Sequence, residues 1–581
     1  MDRDWIYPQS FAATARSKHA SIYLQNPSTA KLAEFFDKKG LRSLKEEDRA
    51  EQWYDDWLGY QASHRLYASM LTPSPHSPAG VELNLLSYSR FLEVFAYHSP
   101  AHGYSVQCTS LGLFAILLGN NQALKDEAKA AIEAGGLLAF GVSEKDHGSD
   151  LLANEFVVSD SAPGEYLANG SKYYIGNSQH ASIICILARQ DDRRPAGQAT
   201  RVHPVLLALR PKESKGFQGV RKIRTFGVRG GFVGEFRVKD HPFPQADVIA
   251  RDHDAWDCVM GAVTLGKFFL GFGAIGICEH ACQEAAAHLT RRILYGKPAI
   301  EMAHIRFAMA QAYARLTAMK LYAYRALDYL HASSAGDRRY ILYCAVQKAK
   351  VCTEGVKVMA QLLECVGAKG FESDTYFEMA LRDIQLLPGL EGSTHVNLAL
   401  TAQFIPRYFA RPENLPAAPK SLAITEDSAG EIFRMTRGRS GAIRTISFDH
   451  YLSAYRPLRA IANVRLFARQ AKAFQLFFRR QYSDRKAEPN LQANLLMGQC
   501  LATIAYGQLM AENALRFDLP AQVTSAIFHL LANDLTLAAI TVASSGQFDA
   551  ASIAALMRRT AVVPRTAAGD WDFISARAGS I

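Results

Sequence analysis

Across residues 28–135, hydrophobic positions recur at mixed three- and four-residue spacing in long stretches without glycine or proline, which predicts a helical N-terminal region. The pattern changes near Gly136. From there to about Ile249, short apolar runs (FVVSD, YLANGSKYYI, SIICILA, VLLALR, GEFRV) alternate with turn pairs such as Pro163-Gly164, Asn169-Gly170 and Gly230-Gly231, the rhythm of a small β-domain. Helical spacing returns at Trp256 and holds to about Phe409. Helices are expected over 256–295, 301–332, 338–366 and 392–409, with breaks at Gly296-Lys297-Pro298, 333–337 and 367–389. Four long helices with short connections predict a bundle. Pro412, Pro416 and Pro419 mark a linker, and 430–581 is again mostly helical. The expected class is α+β: an N-terminal helical domain over 1–139, a central small β-barrel domain over 140–252, a four-helix bundle over 253–410 and an appended helical domain over 411–581.

Composition agrees with several folded domains. The chain has 581 residues, 49% hydrophobic and 21% charged, more than one hydrophobic core usually serves. No uninterrupted apolar run approaches the length that spans a bilayer, and the MDRDWIYPQS start lacks an apolar signal core, so the expected localisation is cytoplasmic. Nine cysteines lie scattered with no CxxC pair, which points to neither a zinc site nor a disulfide framework; no metal site is expected. Cys278 and Cys282, one helical turn apart, read as buried packing residues. The net charge of +10 is regional. Thirteen Lys/Arg against four Asp/Glu fall between Glu431 and Asn490, leaving the rest of the chain near neutral.

The segments that carry chemistry lie elsewhere. Phe140-Gly-Val-Ser-Glu-Lys-Asp-His-Gly-Ser-Asp150 opens the β-domain, Asn169-Gly-Ser-Lys-Tyr-Tyr-Ile-Gly-Asn177 follows, and Leu381-Arg-Asp383 precedes Leu390-Glu-Gly-Ser-Thr-His-Val396. Glycine beside hydroxyl residues lets backbone N–H groups approach a polar ligand, though such loops are also common structural turns.

In this order and spacing the segments resemble the acyl-CoA dehydrogenase family, over roughly residues 80–410. Gly119-Asn-Asn-Gln-Ala-Leu-Lys125, Arg292-Ile-Leu-Tyr-Gly-Lys297 and Val366-Gly-Ala-Lys-Gly-Phe371 resemble three further family segments. The resemblance implies FAD as cofactor. Phe140, Val142 and Ser143 would lie against the flavin ring, and Tyr174, Ile175 and Gly176 would cover its other side. Gly148 and Ser149 would line the channel shared with the thioester. Arg292 and Tyr295 would reach the FAD of a neighbouring subunit, Gly367 and Ala368 would approach the same cofactor, and Ser393 and His395 would sit near it. Glu391 matches the catalytic glutamate, with Leu390, Gly392 and Lys267 beside the substrate. The implied reaction is α,β-dehydrogenation of an acyl thioester, carried by coenzyme A or an acyl carrier protein. An electron-transfer flavoprotein would take the electrons, and the assembly would be a homodimer.

Several positions depart from the family pattern. Gly176 stands where a threonine is usual, His395 replaces a glutamine, and Gly266-Lys267 stands where a subset of the family carries its base as Glu-Arg. That helix offers no base here, which points back to Glu391. A thioester oxidase using O₂ is the alternative activity. For the basic segment 431–490, Phe474, Phe477, Phe478 and Tyr482 among arginines fit three readings: an ordinary core stripe, a peripheral membrane or carrier contact, or, least favoured, a nucleic-acid surface. The competing reading of Glu391 is a helix cap.

Overall fold

A computed structural model of the chain describes residues 4–11, 22–73, 81–191, 202–411, 415–421, 431–433, 443–482 and 490–579. The N-terminal region is built from helices Pro27–Ala50, Asp55–Ser63, Leu85–His98, Pro100–Leu118 and Gln122–Glu133. Four of these start on a side-chain cap: Asn26, Asn84, Ser99 and Asn121 each accept a backbone N–H of the first turn, worth about 1 kcal/mol apiece. A short antiparallel pair, Leu71–Pro73 with Val81–Leu83, interrupts the helices; the helical reading had passed over it.

The Pro100–Leu118 helix is almost wholly buried. It is wedged between the strand Leu137–Gly141 and the helix Asp252–Arg291. Gly112 permits the first contact, since a Cβ there would stand 2.7 Å from the Ala139 carbonyl oxygen. The β-domain is one eight-stranded sheet. Its order runs Val248–Arg251, Val202–Leu209, Ala181–Asp191, Val157–Ala162, Glu165–Gly176, Val233–Pro244, Phe217–Lys222, with Leu137–Gly141 parallel to Ala181–Asp191. Phe156, Ile175, Ile184, Leu207 and Phe236 fill its inner face.

The bundle contains Asp252–Arg291, Ala303–His331, Tyr340–Val346 running through a π-helical turn at Gln347–Val351 into Cys352–Val366, and Thr394–Gln403. The stretch 367–389, expected as a break, holds a further helix, Tyr376–Leu386. Cys278 and Cys282 are buried. Deep in the bundle, Lys320 Nζ lies 2.5 Å from both Glu93 and Glu279 and locks it to the N-terminal region.

The C-terminal region adds helices Ala462–Tyr482, Leu491–Arg516, Ala521–Ser544, Ala550–Thr560 and Ala568–Ala578. Leu491–Arg516 packs on Thr394–Gln403, so close at Gly498 that a Cβ would meet the Leu398 carbonyl oxygen at 2.2 Å. Phe474, Phe477 and Phe478 point into the core, which corrects the membrane and nucleic-acid readings of this stretch: the aromatic residues pack inside while Arg479 and Arg480 face solvent. Residues 434–442 and 483–489 of the basic segment, and the Tyr482 side chain, lie outside the described residues. Among the described residues, three helices (Pro100–Leu118, Asp252–Arg291, Ala521–Ser544) are long and apolar enough to cross a membrane, although no uninterrupted apolar run in the sequence suggests it. Each apolar window is more than half buried inside the fold.

Candidate active site

The site begins where the chain leaves the Tyr376–Leu386 helix. Glu391 has φ 52° and Gly392 has φ 83°, two left-handed residues in succession. Gly392 adopts this freely; for Glu391 it costs about 1–3 kcal/mol and is sustained by its surroundings. The buried Asn397 amide donates to the Gly392 and Ser393 carbonyls at 2.9 and 3.0 Å, and the Thr394 N–H donates to the Pro388 carbonyl. Ser393 caps the following helix through the Val396 N–H. The cap reading of Glu391 therefore fails: that post belongs to Ser393.

The strained turn sends the Glu391 carboxylate back against the Asp252–Arg291 helix. Its Oε2 lies 3.5 Å from where a Cβ on Gly266 would stand, an ordinary contact; the space at Gly266 is required by Leu111, whose Cδ2 would be 2.4 Å away. Surrounding protein raises the carboxyl to about 7, opposed by the charges of Lys348 and Lys267. Lys267 is itself buried, which pulls its ammonium down to about 8. Lys348, on the π-helical turn, donates to the Leu387 carbonyl at 2.6 Å.

Tyr104 and Cys108, one turn apart on Pro100–Leu118, form the next wall. Burial raises both groups, and the Glu391 charge acts on each. Their other side abuts Gly176: a Cβ there would lie 2.2 Å from Cys108 Sγ and 3.0 Å from the Tyr104 hydroxyl. Cys108 occupies the space that a side chain at 176 would need, which explains the glycine. Gly176 ends a strand tied to the 140–143 segment. Ser143 Oγ donates to the Tyr173 carbonyl at 2.6 Å, and the Tyr173 N–H donates to the Ser143 carbonyl. Tyr174, at φ 63°, turns its ring outward and stays 60% exposed. Phe140, Ser143 and Tyr174 thus form a partly exposed ledge, with Gly176 buried behind it against Tyr104 and Cys108.

A narrow cavity of about 60 Å³ runs from Leu390 between the helices, lined by Tyr104, Gln107, Phe269, Leu270, Leu387 and Asp383 among others. The other sequence-derived residues lie apart. Arg292 and Tyr295 sit on an exposed hairpin whose Tyr295-Gly296 turn has positive φ at both residues. Gly367 and Ala368 are exposed on a neighbouring turn, where Lys369 and Arg292 both act on His288.

Two family models match the chain: acyl-CoA dehydrogenase, middle domain, over residues 139–241, and acyl-CoA dehydrogenase, C-terminal domain, over residues 254–405. These matches place residues 139–241 and 254–405 in the acyl-CoA dehydrogenase family. A cyclohex-1-ene-1-carbonyl-CoA dehydrogenase of Geobacter metallireducens is 23% identical over 343 residues, 58% of this chain and 88% of that protein. Among solved structures, an acyl-CoA dehydrogenase complexed with FAD from Bacillus anthracis superposes with TM-score 0.74 at 14% identity, covering 100% of this chain and 98% of the other. A chain from the structure of the electron transferring flavoprotein of Acidaminococcus fermentans superposes with TM-score 0.59 at 20% identity, covering 67% of this chain and all of that one. The C-terminal helices thus fall within the first of these matches, whereas the second leaves a third of the chain uncovered.

Set within this acyl-CoA dehydrogenase fold, the expected residues fall into three groups. Phe140, Ser143 and Tyr174 form the ledge, an aromatic face with a hydroxyl that fits a planar flavin ring, and Val142, Ile175 and Gly176 are buried behind it. Glu391, Lys267, Leu390 and Gly392 form the facing wall, with Ser393 and the exposed His395 opening the next helix. Arg292, Tyr295, Gly367 and Ala368 stand exposed beside His288, and Gly148 and Ser149 are exposed at the loop tip. In that loop Glu144, His147 and Glu155 lie close enough to share an ion. Glu144 already takes the Lys172 ammonium at 2.8 Å and two backbone N–H groups, while His147 bonds Asp150. Sequence reasoning passed over Tyr104, Cys108, Gln107 and Lys348, which lie in unbroken helical runs with no motif. It quoted Asp383 without giving it a role.

Proposed function

We propose that this chain is an FAD-dependent dehydrogenase of acyl thioesters, in which Glu391 removes the substrate α-proton and the product is the trans-2-enoyl thioester. The observation that carries the reading is the shared wall: Tyr104 and Cys108 abut Gly176, behind the ledge, and feel Glu391, so one bound substrate can face both. A carboxylate held near neutrality is matched to proton abstraction at neutral pH. Burial makes Glu391 a willing acceptor, and the Lys267 and Lys348 charges keep part of it ionised before substrate arrives. The strained turn fixes its direction, so less freedom is lost on reaching the reactive geometry. The apolar walls exclude water from the carbanion that develops as the proton leaves. FAD, when bound, supplies the acceptor for the β-hydride.

On this reading Phe140, Val142, Ser143, Tyr174, Ile175, Gly176, Ser393 and His395 hold the cofactor of their own chain. Arg292, Tyr295, Gly367 and Ala368, exposed as they are, serve the cofactor of a second copy in a homodimer. An electron-transfer flavoprotein would be the acceptor for the electrons that FAD takes up, and the acyl group would arrive on coenzyme A or an acyl carrier protein. The test is anaerobic mixing of the purified protein with butanoyl-, hexanoyl- and longer acyl-coenzyme A while the flavin absorbance is followed. Bleaching is expected. Folded protein that stays colourless after FAD addition overturns the proposal, and rapid turnover on O₂ alone reassigns the chain to the oxidases.

A further inference from the structure

The appended region, beyond both stretches matched to the family, carries a surface that the reaction does not use. The outer side of the helix Ala462–Tyr482 presents Arg465, Arg469, Lys472, Arg479 and Arg480, all exposed. At the rise of a helix they form a line about 22 Å long. No aspartate or glutamate occurs from residue 451 to 482. Among the described residues Arg465, Arg469, Lys472 and Arg479 make no ion pair; Arg465 and Arg479 donate instead to the Arg459 and Phe409 carbonyls. Arg465 and Arg469, and Arg469 and Lys472, stand one turn apart, where like charges repel.

The charge continues on the adjoining helix Ala550–Thr560. Gln470 donates to the Thr560 carbonyl at 2.9 Å, and the Arg565 N–H donates to Asn463 Oδ1 at 3.1 Å. These bonds set the end of that helix, and the turn after it, beside the Arg465–Lys472 stretch. Arg558, Arg559 and Arg565 are exposed there, and residues 550–569 contain no acid. Asp549, which caps the helix, is taken by the Ser552 N–H and the Gln481 amide.

One residue on the ridge is apolar. Leu476 is 45% exposed, with Lys472, Arg479 and Arg480 one turn away on either side. A phosphate backbone offers nothing apolar to cover it, and Phe474, Phe477 and Phe478, the rings that could stack on bases, are buried. A single leucine is also far less than the apolar face of a helix that lies in a bilayer. An apolar centre inside a charged rim is the make-up of a protein–protein contact. We propose that this ridge docks an acidic helix of a partner protein, its carboxylates against the arginines and an apolar side chain against Leu476. A straight, convex line of charge is matched along its length by a second helix.

The experiment titrates the FAD-loaded protein into a fluorescein-labelled helical peptide that carries glutamates on one face around a single leucine, with binding read by fluorescence anisotropy. Binding is expected, and added salt should weaken it. Arg469→Glu combined with Lys472→Glu should weaken it by at least about tenfold. Leu476→Ser should weaken it about threefold to tenfold and leave the weaker binding of duplex DNA unchanged. Unchanged melting temperatures check that the variants fold. Should the double charge reversal unfold the protein, Lys472→Gln removes one charge and should still weaken the peptide about two- to threefold. No binding, binding indifferent to the charge changes, or binding indifferent to Leu476→Ser overturns the proposal. So does duplex DNA, or a phosphatidylserine vesicle, held more tightly than the peptide. No thioester enters the titration, so each of these results leaves the dehydrogenase reading untouched.

Discussion

The bundle buries charges on two faces, and it treats them in opposite ways. Towards the C-terminal helices, Arg315 bridges Glu354 and Asp534 at 2.5 and 3.2 Å, and Lys350 adds to Asp534 at 2.8 Å. Arg325 pairs with Asp328 and Glu512, and Arg339 with Asp337 and Asp449. Here Glu354 and Asp534 are held below the ordinary carboxylate range, the Lys350 and Arg315 charges outweighing their burial. Towards the cavity, Glu391 and Asp383 are raised to about 7 and Lys267 is lowered to about 8, each by burial. A bonded opposite charge thus gives fixed charge on one face, and its absence leaves proton affinity poised near neutrality on the other. The difference lies in whether an opposite charge is brought within bonding distance. Pairing welds the appended helices to the bundle; its absence leaves groups able to exchange a proton, the condition expected of a working site.

The comparison breaks most sharply at Glu391. Glu391→Gln keeps the shape of the side chain but cannot take a proton. Flavin reduction by acyl-coenzyme A should fall about 10²–10⁴-fold, with FAD content unchanged and the melting temperature equal or higher above neutral pH. Near-normal reduction in a rapid-mixing assay would remove Glu391 from the mechanism.

On the paired face the effect should appear in stability instead. Asp534→Ala leaves Arg315 and Lys350 buried beside a lost partner, and removing one member of a buried pair costs about 3–5 kcal/mol. Urea unfolding should show that loss, while the protein that remains folded reduces its flavin at nearly the original rate. An equal fall in the rate would mean that the two faces are not independent.

The pH dependence separates the faces again. Glu391 is an acid whose folded value lies above its unfolded one, so folding binds a proton between the ordinary carboxyl range and about 7. Its contribution to stability is full at low pH and is lost as pH rises through that window. Flavin reduction requires the ionised form and should climb with pH through about 7. Lys267→Met removes one of the two opposing charges, so the climb should move to higher pH. An unmoved profile would show that Lys267 does not act on Glu391.

Much of this arrangement was legible in the sequence, for reasons that differ by region. The order of helices, sheet and bundle followed from the change of hydrophobic period near Gly136 and Trp256, because each element has one apolar face to bury. Glu391 was legible because Glu391-Gly392-Ser393 resembles the family's Glu-Gly-Thr motif. The helix Tyr376–Leu386 was not, since flanking glycines and Pro388 read as a loop. The π-helical turn that places Lys348 leaves no mark in composition. Cys108 resembled any packing cysteine, and only the fold shows that it stands against Gly176. The aromatic stripe 474–478 fitted both an inner and an outer face, and tertiary packing decided it.

The pairing of Cys108 with Gly176 yields the smallest effect and a close test of the site's geometry. Gly176 is conformationally ordinary: its φ is not left-handed, so space alone forbids a side chain. Gly176→Ala would place a methyl 2.2 Å from Cys108 Sγ, and overpacking of this kind costs about 1–3 kcal/mol. Cys108→Ala removes the sulfur and leaves a small void. If the two positions share one volume, the double variant should be more stable than the sum of the single losses, with a coupling of about 0.5–3 kcal/mol. Thermal unfolding of the four proteins completes the cycle. Because the same sulfur lies beside Tyr104 and feels Glu391, Cys108→Ala should also alter the rate of flavin reduction without altering FAD content. Additive losses would place the ledge farther from this wall than the structure does, and the common surface joining Gly176 to Glu391 would have to be redrawn.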